Sequence, residues 1–380
     1  MKIHLVCAAR PNFMKIAPLF HALRKEDWAE PVIVHTGQHY DPNMSDAFFE
    51  DLGLPVPHIH LGIKNGSHAE QTAKVMVAYE KVLLSDRPDL VVVVGDVNST
   101  MAATVTAAKL CVPVAHLEAG LRSFDRSMPE EVNRLVTDAL ADMLWTPSRD
   151  ASENLQQEGV PSHKVRLVGN IMIDSLELMR EKIESLRAYE DFGLSPENYG
   201  VVTLHRPSNV DDPAVLEKLC SILGDIARDL PLVFPVHPRT RKNMEREGLW
   251  SGLEQVRNLS LPEPMNYVRF LSLVMSSRFV LTDSGGIQEE TSYLGIPCIT
   301  VRKNTERPVT VTRGTNKLCS LNEVAQRVSE VLRGPVRHHT FIEFWDGNTA
   351  GRIVQFLRAA AAKAPTKRQE PEGACSRTVA

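Results

Sequence analysis

The chain has 380 residues, 43% of them hydrophobic, enough to bury a large core and long enough to predict two domains rather than one. Its 43 basic and 47 acidic residues give a net charge of −4 with no long basic run, which excludes a broad electrostatic surface for nucleic acid or an anionic membrane. Cys7, Cys111, Cys220, Cys298, Cys319 and Cys375 show no Cys-x-x-Cys and no metal-like His spacing, and no run reaches the ~20 apolar residues of a membrane span, so the expectation is reduced thiols, no metal site and a cytoplasmic location.

The N-terminal stretch opens on an apolar strand over residues 3–9, without the longer apolar run of a signal peptide. Arg10-Pro11-Asn12-Phe13-Met14-Lys15 and a helical pattern to residue 23 follow. Arg10 and Lys15 therefore fall at the carboxyl end of the first strand, where open α/β sheets place their ligands. Residues 31–41 read as a second buried strand ending in a polar loop, and His39 there is equally a substrate contact or a loop histidine. A helix over residues 71–84 leads to Leu90-Val91-Val92-Val93-Val94, the unbroken apolar run that a central parallel strand requires. Asp96 and Asn98 emerge at its carboxyl edge.

Residues 112–117 form the next strand and deliver Glu118-Ala119-Gly120-Leu121-Arg122 to the corresponding place. Met128-Pro129-Glu130-Glu131-Val132-Asn133-Arg134 reads as a helix start, with proline in the first turn and two acids at the positive end of the dipole. That capping role alone would account for Glu130. Asp96, Glu118 and Glu130 nevertheless bring three carboxylates to one rim, an arrangement that favours function over stability. Strands over residues 142–147 and 165–170 close this half, and the boundary falls near Asn170.

The strand and helix rhythm then restarts. Residues 199–204 form a strand ending in His205-Arg206-Pro207-Ser208-Asn209, with a helix from Pro213, a strand and turn over 231–239 and a helix over 266–276. Phe279-Val280-Leu281 runs into Thr282-Asp283-Ser284-Gly285-Gly286-Ile287-Gln288-Glu289-Glu290: strand, glycine turn, helix. Ser284, Gly285 and Gly286 would offer bare N–H groups at a helix N-terminus, a site for a diphosphate. Glu290, one turn in, lies where a carboxylate can accept both hydroxyls of a ribose. Residues 296–301 are the last clear strand, followed by Arg302-Lys303-Asn304-Thr305-Glu306-Arg307-Pro308. Helices follow from residue 321, and residues 359–380 lack the apolar content to fold and are expected to be disordered.

The fold class is thus α/β, with two Rossmann-like domains, residues 1–170 and 171–358, facing a cleft. The first strand lacks G-x-G-x-x-G and no Walker lysine motif occurs, which disfavours a nicotinamide dinucleotide.

Arg10-Pro11 with Lys15, Gly95-Asp96-x-Asn98-Ser99, His116-x-Glu118-Ala119-Gly120-Leu121-Arg122, Pro129-Glu130-Glu131-x-Asn133-Arg134, Gly169-Asn170, Asp283-Ser284-Gly285-Gly286-x-Gln288-Glu289-Glu290 and Thr305-Glu306-Arg307-Pro308 resemble, in order and spacing, the non-hydrolysing UDP-N-acetylglucosamine 2-epimerase family. The resemblance implies a glycosyltransferase-B type fold, homodimers, a UDP-sugar substrate and no external cofactor. It assigns uridine and diphosphate contacts to Arg10, His205, Phe270, Ser284, Gly285, Gly286 and Glu290, with Arg307 also at the ligand, catalytic carboxylates to Asp96, Glu118 and Glu130, and a site lysine to Lys15. His39 and Arg122 join the substrate-binding set, and His205 the catalytic one. Many bacterial members contact a second UDP-N-acetylglucosamine through a glutamine two places after the histidine of a Gln-His pair, whereas here Gln38-His39 is followed by Tyr40-Asp41.

The implied reaction interconverts UDP-GlcNAc and UDP-ManNAc. The C2 hydrogen is not next to a carbonyl, so it must leave as UDP departs from C1, by anti elimination to a 2-acetamidoglucal and re-addition from the other face. Relatives acting on UDP-2,3-diacetamido-2,3-dideoxyglucuronic acid share most of these motifs. A glycosyltransferase or a UDP-sugar sensor would use the same nucleotide half, though neither needs three carboxylates opposite it.

Overall fold

The structure, a computed structural model, describes residues 1–37, 49, 51–63 and 66–363. His39 lies outside the described residues, and Arg10 is placed by its backbone alone.

Two wholly parallel sheets carry the chain. The first contains β1 (Lys2–Cys7), β2 (Glu30–His35), β3 (Ile59–His60), β4 (Leu90–Val94), β5 (Val114–Leu117), β6 (Met143–Thr146) and β7 (Val165–Leu167), in the order β3-β2-β1-β4-β5-β6-β7. The second contains β8 (Gly200–Thr203), β9 (Leu232–Val233), β10 (Leu259–Ser260), β11 (Phe279–Thr282), β12 (Cys298–Val301) and β13 (Asn316–Cys319), in the order β10-β9-β8-β11-β12-β13. Each sheet reverses its winding once, between β1 and β4 and between β8 and β11. Loops on either side of such a reversal leave in opposite directions and open a crevice at the carboxyl ends of the strands. The helix after β1 opens with Arg10 and Lys15, and the loops after β4, β8 and β11 carry Asp96, His205 and Ser284-Gly285.

All five residues of β4 are buried, as helices on both faces demand. The helix Ile171–Leu186 packs against both Arg10–Leu23 and Tyr267–Ser276, so one apolar cluster runs from Leu5 and Phe20 to Leu271 and Val280. The last helix, Thr349–Lys363, crosses back onto Arg10–Leu23 and Ile171–Leu186. Its start is tied down by the Asp174 carboxylate, which accepts the N–H groups of Thr349 and Ala350 at 3.0 and 2.8 Å. At the crossing, Gly169 has φ +97° and a Cβ there would lie 2.1 Å from the Phe344 carbonyl oxygen; no other residue fits.

The short edge strands β3, β10 and β13 were not expected, and residues 296–301 are not the last strand. Residues 359–363, expected to be disordered, instead continue the final helix, whose buried Ile353, Val354 and Leu357 supply the packing; residues 364–380 lie outside the described residues. Cys7, Cys220, Cys298 and Cys319 are buried free thiols, whereas Cys111 is free and exposed. Among the described residues no helix is long and apolar enough to cross a membrane.

Candidate active site

The first half of the site rests on the loops after β4 and β5. Gly95, at φ +67°, turns the chain out of β4; a Cβ there would sit 3.2 Å from Lys15 Nζ and 3.4 Å from Glu118 Oε2. The next residue, Asp96, accepts from Arg134 Nη1 at 2.5 Å, and its carbonyl accepts from Asn133 Nδ2 at 2.8 Å. Both donors come from the helix Pro129–Leu140. Glu131, on the same helix, holds Arg134 Nε at 2.9 Å and accepts the N–H groups of Ser123 and Phe124. One helix therefore positions both the Asp96 carboxylate and the loop opposite it.

Glu118 has φ +76°, a conformation that costs a side-chain-bearing residue about 1 kcal/mol or more and persists only where the surroundings impose it. Here the N–H groups of Glu118 and Ala119 both donate to the Trp145 carbonyl at 3.1 Å. Beneath them His116 bridges the loops: its Nε2 faces the Gly95 carbonyl at 2.9 Å and its Nδ1 faces Asp138 at 2.6 Å, while Asp138 Oδ2 accepts the Gly120 N–H at 3.0 Å. The strained turn aims the Glu118 carboxylate at two cations, Lys15 through Oε2 and Arg307 through Oε1, the latter at 3.2 Å.

Arg307 comes from the second half. It also meets Glu289 at 2.9 Å and Glu306 at 2.7 Å, so three carboxylates surround one guanidinium. Its loop is fixed by Gln288, whose Oε1 accepts from Thr305 Oγ1 and Asn316 Nδ2 at 2.8 and 2.9 Å. The glycines of the turn serve different ends. A Cβ on Gly285 would lie 2.6 Å from Glu306 Oε1, whereas one on Gly286 would meet nothing within 4 Å. The helix Gly286–Leu294 thus opens with unhindered backbone donors. Ser284 is the exception to the expected set, because its N–H already donates to Thr282 Oγ1 at 2.9 Å.

Asp283, fully buried, accepts the N–H groups of His205 and Arg206 and the Asn209 amide, joining the β8 and β11 loops across the reversal. His205 Nδ1 lies 3.3 Å from Asp283 Oδ1. Glu290 is buried and accepts from the Tyr267 hydroxyl at 2.6 Å. Phe270 lies one helical turn beyond Tyr267, against the same core.

The electrostatics separate the carboxyls. Burial pushes Asp96 above the ordinary carboxylate range and Glu118 reinforces this, against Arg134 and Lys15. For Glu118 burial acts upward too, but Lys15 and Arg307 outweigh it and hold the group low. Burial lifts Glu290 to about 8, with Tyr267 opposing and Glu289 adding to the rise. Burial lowers His205, aided by His237 and Arg206, although Asp283 pulls the other way, so the imidazole is held neutral.

The structure thus brings Lys15, Asp96, Glu118 and Arg307 into one cluster, with Glu290 on the helix behind the glycine turn. Glu130 is exposed at the start of its helix, and its charge is felt by Arg206 from across the cleft. Arg122 does not join them. Its guanidinium is closed between Asp138 at 2.7 Å and Glu158, with two bonds of 2.7 Å. Sequence reasoning missed Arg134, Glu289, Asp283 and Tyr267 as site-forming residues. Arg134 could have been found by its helical spacing from Glu130 and Glu131; Tyr267 carries no signal beyond an apolar helix face.

Two doubly wound parallel sheets facing a cleft, with an anion-ready helix on one side and carboxylates on the other, define a nucleotide-sugar enzyme of glycosyltransferase-B architecture. The chain belongs to the UDP-N-acetylglucosamine 2-epimerase family, whose model matches residues 21–358. It is 41% identical over 365 residues to the UDP-N-acetylglucosamine 2-epimerase of Methanocaldococcus jannaschii, covering 94% of this chain and 99% of the relative. The crystal structure of that enzyme in complex with UDP-GlcNAc and UDP superposes with a TM-score of 0.85 at 39% identity, over 94% of this chain and 100% of that one. Identity is also 41%, over 362 residues, 94% of this chain and 99% of the relative, to the UDP-2,3-diacetamido-2,3-dideoxy-D-glucuronate 2-epimerase of Pseudomonas aeruginosa. A Rickettsia africae glycosyltransferase shares the fold alone, at 12% identity and a TM-score of 0.57, over 96% of this chain and 99% of that one.

Proposed function

We propose that this enzyme interconverts UDP-N-acetylglucosamine and UDP-N-acetylmannosamine by anti elimination of UDP to 2-acetamidoglucal and re-addition on the other face. The observation that carries the reading is the Asp96 and Glu118 pair: two carboxyls in one cluster, one pushed up and the other held down. Such a pair can hold one proton and accept another, which a reaction with a proton transfer on each face of the sugar requires. Glu130 is the third carboxyl and His205 the residue beside the departing diphosphate. The Gly285-Gly286 turn, Arg10 and Arg307 hold the diphosphate, and Glu290 the ribose, with Phe270 beside it. Lys15 sets the charge of Glu118, and in this reading it is the state of that carboxylate that it controls. The enzyme acts in the cytoplasm as a homodimer.

The equal likeness to the Pseudomonas aeruginosa enzyme supports a second reading, in which the substrate is a 2,3-diacetamido uronate. Incubation with UDP-GlcNAc alone in D2O, followed by proton NMR, tests the first. UDP-ManNAc deuterated at C2 is expected; no turnover would overturn it.

A further inference from the structure

One part of the cleft takes no role in that chemistry. Beyond His205 a cavity of about 860 Å³ is lined by Arg206, Asn209, Arg302 and Lys303 of the second half and bounded by Asp125 and Met128 of the first. Arg302 is the unusual member. Its side chain is only 6% exposed and Nη2 donates to Glu306 Oε2 at 2.9 Å, but Nη1 is buried and has no hydrogen-bond partner among the described residues. A buried charged donor left unmatched is costly.

The local charge is unbalanced as well. Glu306, the one carboxylate paired with Arg302 among the described residues, is shared with Arg307. Arg206 spends its Nε on the Asp283 carbonyl at 3.2 Å. Burial and the Arg302 charge both lower its affinity for its proton, and the two guanidiniums line the same cavity. On the far wall Asp125 has turned its Oδ1 to the N–H and hydroxyl of Ser127. An oxyanion in the cavity would be a chemically matched partner for these guanidiniums.

The cavity lies next to residues that the proposed function places at the sugar: Arg206 follows His205, Met128 precedes Pro129 and Glu130, and Arg206 feels the Glu130 charge. Resting on the nucleotide-sugar reading, we propose that this cavity is an oxyanion subsite built on Arg302 and Arg206, which takes a carboxylate carried by the sugar of the substrate. The same chemistry would also accept a free small oxyanion such as phosphate. The difference decides whether the subsite selects substrates or fills independently.

Calorimetry on the full chain separates these. Three probes are titrated, UDP-GlcNAc, its C6 uronic acid and inorganic phosphate, into wild type, Arg302→Met and Arg302→Lys, with UDP as the control that the nucleotide site is intact. The uronic acid is expected to bind about tenfold to hundredfold more tightly than the neutral sugar, as a charge-assisted contact gives. Arg302→Met should abolish that difference with UDP affinity unchanged, and Arg302→Lys, which keeps the charge, should restore part of it. Phosphate binding that requires Arg302, without a uronate advantage, would keep the subsite and reject the sugar as its source. Neither uronate preference nor Arg302-dependent phosphate binding, in protein that still binds UDP, would overturn the proposal. Loss of UDP binding in wild type would instead refute the nucleotide reading on which it rests.

Discussion

Arg307 and Glu118 meet across the cleft, the guanidinium Nη2 donating to Glu118 Oε1 at 3.2 Å, while the same guanidinium is ion-paired with Glu289 and Glu306. The side chains are 12% and 5% exposed, so little water screens the pair. Removing the cation would leave three carboxylates facing one another in a dry site. Arg307→Met is therefore expected to destabilise the fold by about 3–5 kcal/mol, the range for an orphaned buried charge. Adding Glu118→Gln should recover part of that loss. Denaturant melts of the two variants check both statements; equal stability of wild type and Arg307→Met would show that the cluster is held by something else.

Glu290 gives a pH dependence to nucleotide binding. With its folded-state value at about 8, the free enzyme at neutral pH holds this carboxyl mostly protonated. Ribose hydroxyls donate to the ionised form, so UDP binding releases the proton and is weakened as pH falls. Affinity should rise up to tenfold per unit as pH is raised toward 8, then level off. Glu290→Gln should flatten the profile and weaken UDP by about 1.5–3 kcal/mol. Calorimetry across pH, repeated in buffers of different ionisation enthalpy, measures the proton directly. A flat wild-type profile would reject this role.

Asp138 ties three things at once, the His116 ring, the Gly120 N–H and Arg122. Burial would raise its carboxyl, but His116 and Arg122 hold it below its ordinary value. The sign follows. A depressed carboxylate contributes stability above its unfolded value of ~3.9, and that contribution disappears as pH falls through the folded-state value. Asp138→Asn should thus cost on the order of 3 kcal/mol at pH 7, with the gap to wild type narrowing below about pH 4. Because the same group anchors the Gly95 and Glu118 turns, kcat should fall more than KM rises. A gap independent of pH would contradict the charged role.

What could be read in advance follows the range of the interactions. The strands that carry the cleft are long apolar runs or end in short polar motifs, so β1, β4, β8 and β11 and the loops after them were legible. The edge strands β3 and β10 have only 2 residues each, and β13, Asn316-Lys317-Leu318-Cys319, is as long as β8 and β11 but lacks their apolar run. Asp96 and Glu118 were visible because each follows its own strand, whereas Glu130 opens a helix and stands exposed outside their cluster. The partners of the site carboxylates were not visible, since Arg307 reaches Glu118 over 189 residues of sequence and Tyr267 reaches Glu290 from another helix. Arg122 misled for the same reason: it sits in a ligand-loop motif, yet Glu158, 36 residues on, claims its guanidinium.

The two proton transfers need carboxyls in opposite protonation states. In the gluco sugar the C2 hydrogen and the α-linked UDP are axial and opposed, so elimination is anti, and return of UDP with a proton from the other face yields the manno sugar. The base that takes the first proton must be ionised and the acid that gives the second must be protonated. Glu118, held low by Lys15 and Arg307, and Asp96, raised by burial and by Glu118 itself, have these opposite tendencies. If they act as such a pair, activity should follow a bell-shaped pH profile, and each limb should be altered by one substitution only. Asp96→Asn and Glu118→Gln are each expected to lose on the order of 10²-fold or more in kcat, and Glu130→Gln likewise if it completes the second transfer. Removing the cation beside Glu118, as in Lys15→Met, should move the limb that belongs to Glu118 upward, since Lys15 is the largest of the influences that oppose its burial. In D2O the product should carry deuterium at C2, with UDP and 2-acetamidoglucal escaping now and then. Product that keeps its C2 hydrogen in D2O would rule out elimination, and full activity in all three carboxamide variants would place the proton carriers elsewhere.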